Sequence, residues 1–167
     1  MRKLLFATGN PAKLTAMRRR LGELDLEILG LGDMDRKAPP VPEDGNTPLE
    51  NARQKALAYY DFFQIPLFSC DSGLYFQGLP DELQPGVHVR TVGGKCLTDQ
   101  QMLEYYSGLA RKYGDLRARY RHAVCLVADG GKVYEAMDDS MASEVFLISS
   151  VPCAKVRQEG FPLDSLS

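Results

Sequence analysis

Apolar residues follow two different periods along this 167-residue chain. In the first half, short apolar runs alternate with segments whose apolar residues recur at helical spacing. In the second half, apolar residues mostly alternate with polar ones and glycine-rich turns intervene. We therefore predict strands at 4–7, 26–29, 66–70, 74–76, 117–128, 132–136 and 145–149, and helices at 11–23, from 48 to before Pro66, and from 98 to about 113.

This order of elements favours an α/β fold with two lobes. We expect a single domain over residues 1–167, in which a long central mixed sheet is flanked by helices and a cleft separates the lobes. Residues 78–94 are rich in glycine and proline, so we expect a mobile surface loop there.

The first strand runs directly into a polar turn and a helix. Asn10 is suited to the N-cap of that helix and Pro11 to its first position. Free N–H groups of the first turn and the helix dipole favour a bound anion, although an ordinary strand–turn–helix has the same pattern. The residues predicted to bind phosphate here are Thr8, Gly9, Asn10 and Lys13.

Two further polar segments lie at element ends. Glu43-Asp44-Gly45 precedes a helix that opens with a predicted capping box, Thr47 as N-cap and Glu50 at the third helical position. The second segment, 70–73, follows a buried strand. Ligands gather at the carboxyl ends of strands in open α/β sheets, so we expect these segments to converge.

The converging residues suit a polyphosphate and a hard cation. Mg²⁺ is usually held by one or two carboxylates together with substrate phosphates, and Glu43 and Asp71 provide those carboxylates. Lys13 and Lys55 would offset the phosphate charge. Taken singly, each residue also has a plain explanation, since the acids fit a solvated loop and 71–73 fits a tight turn.

Composition narrows the function classes. A formal net charge of −2 argues against a nucleic-acid surface built on bulk charge. The four cysteines form no C-x-x-C pair, which indicates a reduced cytoplasmic protein without a zinc site or disulfides. The apolar run at 4–7 is too short for a signal peptide or a membrane span, so no membrane partner is expected.

Three blocks give the chain a resemblance to the inosine triphosphate pyrophosphatase family, which removes non-standard purine nucleoside triphosphates. These blocks are Thr8-Gly9-Asn10-x-x-Lys13, then Glu43-x-Gly45-x-Thr47-x-x-Glu50-Asn51-Ala52-x-x-Lys55-Ala56, then Asp71-Ser72-Gly73-Leu74. Pro85-Gly86-Val87 and Thr98-Asp99-Gln100 also sit where the family has similar residues. The resemblance is specific to about residue 105 and weak from residue 115.

The resemblance implies a homodimeric enzyme that hydrolyses ITP, dITP or XTP to the monophosphate and pyrophosphate, with Mg²⁺ (or Mn²⁺) in a cleft. It implies phosphate binding by Thr8, Asn10, Lys13 and Lys55, metal binding by Glu43 and Asp71, and water activation by Asp71. It also implies nucleotide contacts from Ser72 and Gly73, and a base pocket lined by Phe161 and Asp164.

Two departures from the family pattern leave alternatives open. Cys70 stands where the family has an acid, and it either weakens the metal site or simply packs behind Asp71. The family's lysine and Ser-His-Arg segment do not follow Asp164, which leaves base specificity open. The alternatives are a nucleotide- or polyphosphate-binding protein without turnover, and a phosphatase acting on another small phosphorylated metabolite.

Overall fold

The computed structural model describes residues 1–155 and 162–167, and the following elements are those of the described residues. The α-helices are α1 (Pro11–Arg20), α2 (Pro48–Phe63) and α3 (Asp99–Tyr113). The strands are β1 (Arg2–Phe6), β2 (Leu26–Leu29), β3 (Leu67–Phe76), β4 (Thr91–Val92), β5 (Lys95–Cys96), β6 (Leu116–Val127), β7 (Val133–Ala136) and β8 (Phe146–Ile148). Within this described part, no helix is long and apolar enough to cross a membrane.

The central sheet is mixed, as predicted. Its strand order is β2-β1-β3-β6-β7, and β8 also pairs with β6. β1 is parallel to both neighbours, with Leu5 opposite Leu29 on one side and Leu67 on the other. β7 and β8 run antiparallel to β6, and β4 and β5 form a separate hairpin. The mixed α/β fold class is therefore confirmed.

The chain divides into two compact units. The first unit is Met1–Asp71 with His122–Met141, and the second is Ser72–Arg121 with Ala142–Ser167. Each unit has its own buried apolar core.

In the first unit, helices cover both faces of the parallel strands. One face packs against α1 through Phe6 and Phe68, whose rings stack with centroids 4.6 Å apart. The other face packs against α2, where Leu5 and Leu67 are fully buried. Successive side chains of a strand point to opposite faces, so odd-numbered β3 residues of this unit face α2 and even-numbered ones face α1.

In the second unit, α3 packs its apolar face on the sheet. Thr98 caps the helix and exchanges hydrogen bonds with Gln101, the predicted capping box. Tyr106 of α3 is fully buried among apolar neighbours, and its hydroxyl donates to the carbonyl oxygen of Val89 at 2.6 Å. This bond satisfies the one polar group of a large buried side chain.

β3 differs from the prediction because it continues through residues 71–73 without a turn. Leu74 and Gly86 exchange two backbone hydrogen bonds of 2.9 Å, which keep the strand extended. A Cβ atom at Gly73 would lie only 3.0 Å from the Gly86 backbone. Gly73 therefore allows a close backbone approach, and the tight-turn interpretation of these residues is wrong.

Residues 78–94, predicted as a mobile surface loop, include a 3-10 helix (Asp81–Leu83) and β4. The Gln84 side chain attaches this segment to β3, because it accepts from the Phe76 N–H at 2.8 Å and donates to the Phe76 carbonyl at 2.7 Å. α1 is also shorter than predicted and ends at Arg20, where the Leu21 N–H donates to the Met17 carbonyl.

Candidate functional site

The segment 43–46 is held by the first turns of α2. Thr47 caps α2 and accepts from the Glu50 N–H at 3.2 Å, as predicted. The Glu50 carboxylate accepts instead from the Asn46 N–H at 2.6 Å, one residue before the N-cap. The predicted capping box is therefore half formed, and its second bond fixes the incoming loop.

Lys55 connects three elements of the first unit. Its ammonium group forms an ion pair with Glu43 and donates to the carbonyl oxygen of Cys70 at 3.1 Å. The Lys55 side chain is only 14% exposed, whereas that of Glu43 is 46% exposed. The structure thus brings together two residues that the sequence placed twelve positions apart.

The first turn of α1 differs from the predicted anion site. The Asn10 Oδ1 atom accepts from the N–H groups of Ala12 at 2.9 Å and Lys13 at 3.3 Å, and Thr8 Oγ1 accepts from the Asn10 N–H at 3.2 Å. The prediction that these N–H groups are free is wrong, because the N-cap side chain already occupies two of them. This turn still exposes the Lys13 side chain, and there is open space beside Gly9. A ligand at this turn would therefore meet these two features.

Cys70 lies on the α1 face of β3, against the cluster built on Phe6 and Phe68. Burial raises the pKa of its thiol to about 11, while the charges of Lys13 and Lys55 act to lower that pKa and Asp71 acts to raise it. Cys70 is consequently neutral near pH 7. Its contact with the apolar cluster, and burial as the main cause of the raised pKa, support the packing interpretation of Cys70.

Asp71 is half-buried and is the last residue of the first unit. Strand alternation places it on the α2 face, together with Ser69. Ser69 is fully buried, and its Oγ atom has no hydrogen-bond partner among the residues that the structure describes. An unpaired buried hydroxyl on this face is a polar feature that the sequence did not indicate.

His122 of β6 lies within electrostatic range of Lys13 and was not predicted as a site residue. It is half-buried, and burial lowers its pKa, with further lowering by the positive charges of Lys13 and Arg20. His122, Val124 and Leu126 alternate along β6 and therefore share one face of the strand, the face of the α1-side cluster. This alternation in the sequence could have placed His122 beside α1.

The remaining predicted residues belong to the second unit. Ser72 is half-buried and Gly73 is buried. Asp164 is exposed on a 3-10 helix (Pro162–Ser165), and Phe161 lies outside the described residues. Asp164 borders a cavity of about 260 Å³, whose other lining residues are Tyr120, Ser143, Phe146, Leu163 and Ser167.

That cavity has an aromatic wall, because the rings of Tyr120 and Phe146 stack with centroids 5.6 Å apart. The pKa of the Tyr120 hydroxyl is raised by burial and then by the charge of Asp164. Neither aromatic was predicted as a site residue. The alternation of 117–128 identified Tyr120 only as a strand residue.

The carboxylates available for a cation are few. Among the described residues, no group of three or more histidine, cysteine, aspartate or glutamate side chains is placed to hold a metal. Glu43 and Asp71 carry hard carboxylate oxygens, which would suit a cation that takes its other ligands from water and phosphate. This donor set therefore fits Mg²⁺ or Mn²⁺ delivered with a polyphosphate.

The sequence pattern of the Ham1 family matches residues 4–147, and the chain belongs to this family. A dITP/XTP pyrophosphatase of Porphyromonas gingivalis is 32% identical over 147 residues, which are 86% of this chain and 74% of that protein. The predicted family is confirmed. Further bacterial proteins named dITP/XTP pyrophosphatase align over 33% to 67% of their own length, so the chain spans only part of these relatives.

Solved structures agree on the fold. A structure described as nucleoside-triphosphatase / dITP/XTP pyrophosphatase from Mycobacterium abscessus has a TM-score of 0.74 at 25% identity, covering 98% of this chain and 82% of that one. The Staphylococcus aureus Ham1 protein has the same TM-score at 20% identity, covering 99% and 80%.

Proposed function

We propose that this chain hydrolyses non-standard purine nucleoside triphosphates such as ITP, dITP and XTP to the monophosphate and pyrophosphate. Its membership of the Ham1 family places it among the nucleoside triphosphate pyrophosphatases. The observation that carries the proposal is the Lys55 ammonium group, which joins Glu43 of the loop to the β3 carbonyl that precedes Asp71.

Phosphate binding is assigned to residues of the first unit. Lys13 and Lys55 neutralise the triphosphate charge, and the electrostatic effect of both on Cys70 supports a shared location. Thr8 and Asn10 shape the turn that presents Lys13, and Gly9 leaves room for a phosphate because nothing lies within 4 Å of its Cβ position.

The metal ligands are assigned to Glu43 and Asp71. A bound Mg²⁺, or Mn²⁺ in its place, would polarise the phosphates and lower the pKa of water. Cys70 packs against the apolar cluster, so we assign it no metal contact, and phosphate oxygens of the substrate would complete the ligand set.

Water activation is assigned to Asp71. Its half-buried carboxylate accepts the proton of the attacking water, which then adds to the α-phosphorus and displaces pyrophosphate. Positive charge from Lys13 and Lys55 stabilises the negative charge that develops on the phosphate oxygens.

Base recognition is assigned to the second unit. Ser72 and Gly73 lie on β3 directly after Asp71, and Asp164 borders the cavity with the aromatic wall. Phe161 is assigned to the base pocket on the family resemblance alone. The resemblance also supports a homodimer in the cytoplasm. Size-exclusion chromatography with light scattering tests the homodimer.

The test is hydrolysis of ITP, dITP, XTP, ATP and GTP with Mg²⁺ or Mn²⁺, with pyrophosphate resolved from phosphate. We expect pyrophosphate from ITP, dITP and XTP, and little product from ATP and GTP. Release of inorganic phosphate instead would favour a phosphatase.

Binding without turnover is the second candidate. The observation in its favour is Cys70, which stands where the family has an acid and packs against the apolar cluster built on Phe6 and Phe68. Thermal stabilisation by ITP without any product would favour it, because a ligand that binds only the folded state raises stability.

A further inference from the structure

Four consecutive residues of the loop 43–46 are each held by a different side chain of α2. Reading along the loop, the pairs are Glu43 with Lys55, Asp44 with Gln54, Gly45 with Asn51, and Asn46 with Glu50. The distances are 2.6 Å from Gln54 to Asp44, 2.8 Å from Gly45 to Asn51, and 2.6 Å from Asn46 to Glu50. The loop therefore runs antiparallel to one face of the helix.

The spacing of the helical partners explains this arrangement. Residues four apart on a helix are neighbours on its surface, so Glu50 lies beside Gln54 and Asn51 beside Lys55. These two pairs form a strip on the surface of α2 that consists of Glu50, Asn51, Gln54 and Lys55, and the loop 43–46 lies along this strip. A shift of the loop by one residue would change the partner of every side chain in the strip.

Asn51 is the buried member of the strip. It is 3% exposed, and its Oδ1 atom accepts from the buried Gly45 N–H. The loop comes so close that a Cβ atom at Gly45 would lie 2.8 Å from Asn51 Oδ1 and 2.7 Å from Glu50 Cβ. The other three pairs involve exposed partners, so the buried pair contributes most to fixing the loop.

We propose that Asn51 is a positioning residue, which sets the register of the loop and thereby places Glu43 beside Lys55 for the metal–nucleotide complex. Asn51 acts through the Gly45 N–H and does not touch the substrate. Gln54 assists from the exposed side by holding Asp44. This inference rests on the proposed function, because it assigns a role to Asn51 at that same site.

Two substitutions separate the hydrogen bond from side-chain volume. Asn51→Leu keeps the size and leaves the buried Gly45 N–H without an acceptor, while Asn51→Asp keeps an acceptor oxygen. Thr47→Ala is the matched control, because it weakens the N-cap of the same helix and leaves the strip intact.

Three readouts are compared: amide hydrogen exchange at residues 43–46, Mn²⁺ binding in the presence of ITP by electron paramagnetic resonance, and the Mg²⁺ dependence of turnover. For Asn51→Leu we expect faster exchange at 43–46 and an affinity for Mn²⁺–ITP reduced about tenfold or more, the range typical when a partner of a metal ligand is lost. We expect Asn51→Asp to restore most of the affinity, and Thr47→Ala to lower thermal stability with little effect on affinity.

Wild-type exchange and wild-type Mn²⁺–ITP affinity in a folded Asn51→Leu protein would overturn the proposal. Should that variant fail to fold, Asn51→Ala removes the same acceptor with a smaller side chain, and the same exchange and affinity measurements apply. A wild-type protein that binds Mn²⁺–ITP without turnover would refute the proposed hydrolysis, and the affinity and exchange measurements would still decide the role of Asn51. A wild-type protein that does not bind Mn²⁺–ITP would overturn both.

Discussion

The Nζ atom of Lys55 lies 3.1 Å from the carbonyl oxygen of Cys70 and donates a hydrogen bond to it. This bond attaches the middle of α2 to β3 at the residue before Asp71. The same ammonium group pairs with Glu43, so one largely buried cation orders a loop, a helix and a strand.

Replacing Lys55 with methionine tests this connection. The variant keeps the side-chain stem and removes the charge, so the ion pair with Glu43, the bond to Cys70 and the proposed phosphate interaction are all lost. We expect kcat/KM for ITP to fall about 100-fold or more, the size of effect typical when a group that stabilises developing charge is removed. Arg53→Met is the control on the same helix, since Arg53 pairs with Glu135, and it should retain activity. Wild-type kcat/KM in Lys55→Met would exclude Lys55 from the site.

Asp71→Asn tests the assignment of the base. The amide is isosteric but cannot accept the proton of water and is a weaker metal ligand, so at saturating Mg²⁺ kcat should fall by about 10² to 10⁴, the usual contribution of a general base. The exposed Asp81 provides a control, because Asp81→Asn removes a carboxylate of the other unit without touching β3. Single-turnover rates separate the chemical step from product release. A full rate in Asp71→Asn would assign the base elsewhere.

Much of the fold was predictable because it is encoded locally. The strand 26–29 was predicted at its observed bounds, and the caps at Asn10, Thr47 and Thr98 are local side-chain signals read correctly. One family block also contains both Glu43 and Lys55, whose side chains form an ion pair in the structure.

The error at residues 71–73 comes from an interaction distant in sequence. Asp71, Ser72 and Gly73 have strong turn preferences, but pairing of the adjacent Leu74 with Gly86 overrides them. The predicted free N–H groups of α1 are an error of a local kind, because the Asn10 N-cap that the sequence indicates already accepts from the N–H groups of Ala12 and Lys13. The proposed contact at Phe161 stays a prediction, since it lies outside the described residues.

The thiols of Cys70 and Cys125 predict a loss of stability at alkaline pH. Burial raises the pKa of each to about 11, from a value of 9.0 expected in the unfolded chain. Below pH 9 both states keep the proton and stability does not change. Above pH 9 the unfolded chain loses protons that the folded chain retains, so the free energy of unfolding falls as pH rises towards 11.

The measurement is urea unfolding at pH 8, 9 and 10, with a Cys70→Ala and Cys125→Ala double variant as the comparison. Each thiol contributes at most about 1 kcal/mol of loss per pH unit above 9. The double variant should show a flatter dependence over this range. A wild-type profile that rises with pH, or a double variant with the same slope, would contradict the assignment.

Replacing Ser69 with alanine is predicted to stabilise the protein, whereas most substitutions in a protein core destabilise it. Its hydroxyl is fully buried and has no hydrogen-bond partner among the described residues, so folding removes water from it without replacement. Ser69→Ala should therefore raise the free energy of unfolding by about 1 kcal/mol, the lower part of the range for an unpaired buried polar group. The Ala side chain also suits this position, because α2 presents Ala52 and Ala56 to the same face of the sheet.

Ser107 is the matched comparison, since it is equally buried but donates to the Glu104 carbonyl and accepts from Arg111 at 3.1 Å. Removing a satisfied hydroxyl leaves its partners unpaired, so Ser107→Ala should lower stability by about 1 kcal/mol. Urea midpoints at an unchanged m-value report both effects directly. If Ser69→Ala is instead destabilising by as much as Ser107→Ala, the Ser69 hydroxyl is not an unpaired buried group in the folded protein, and this prediction is wrong.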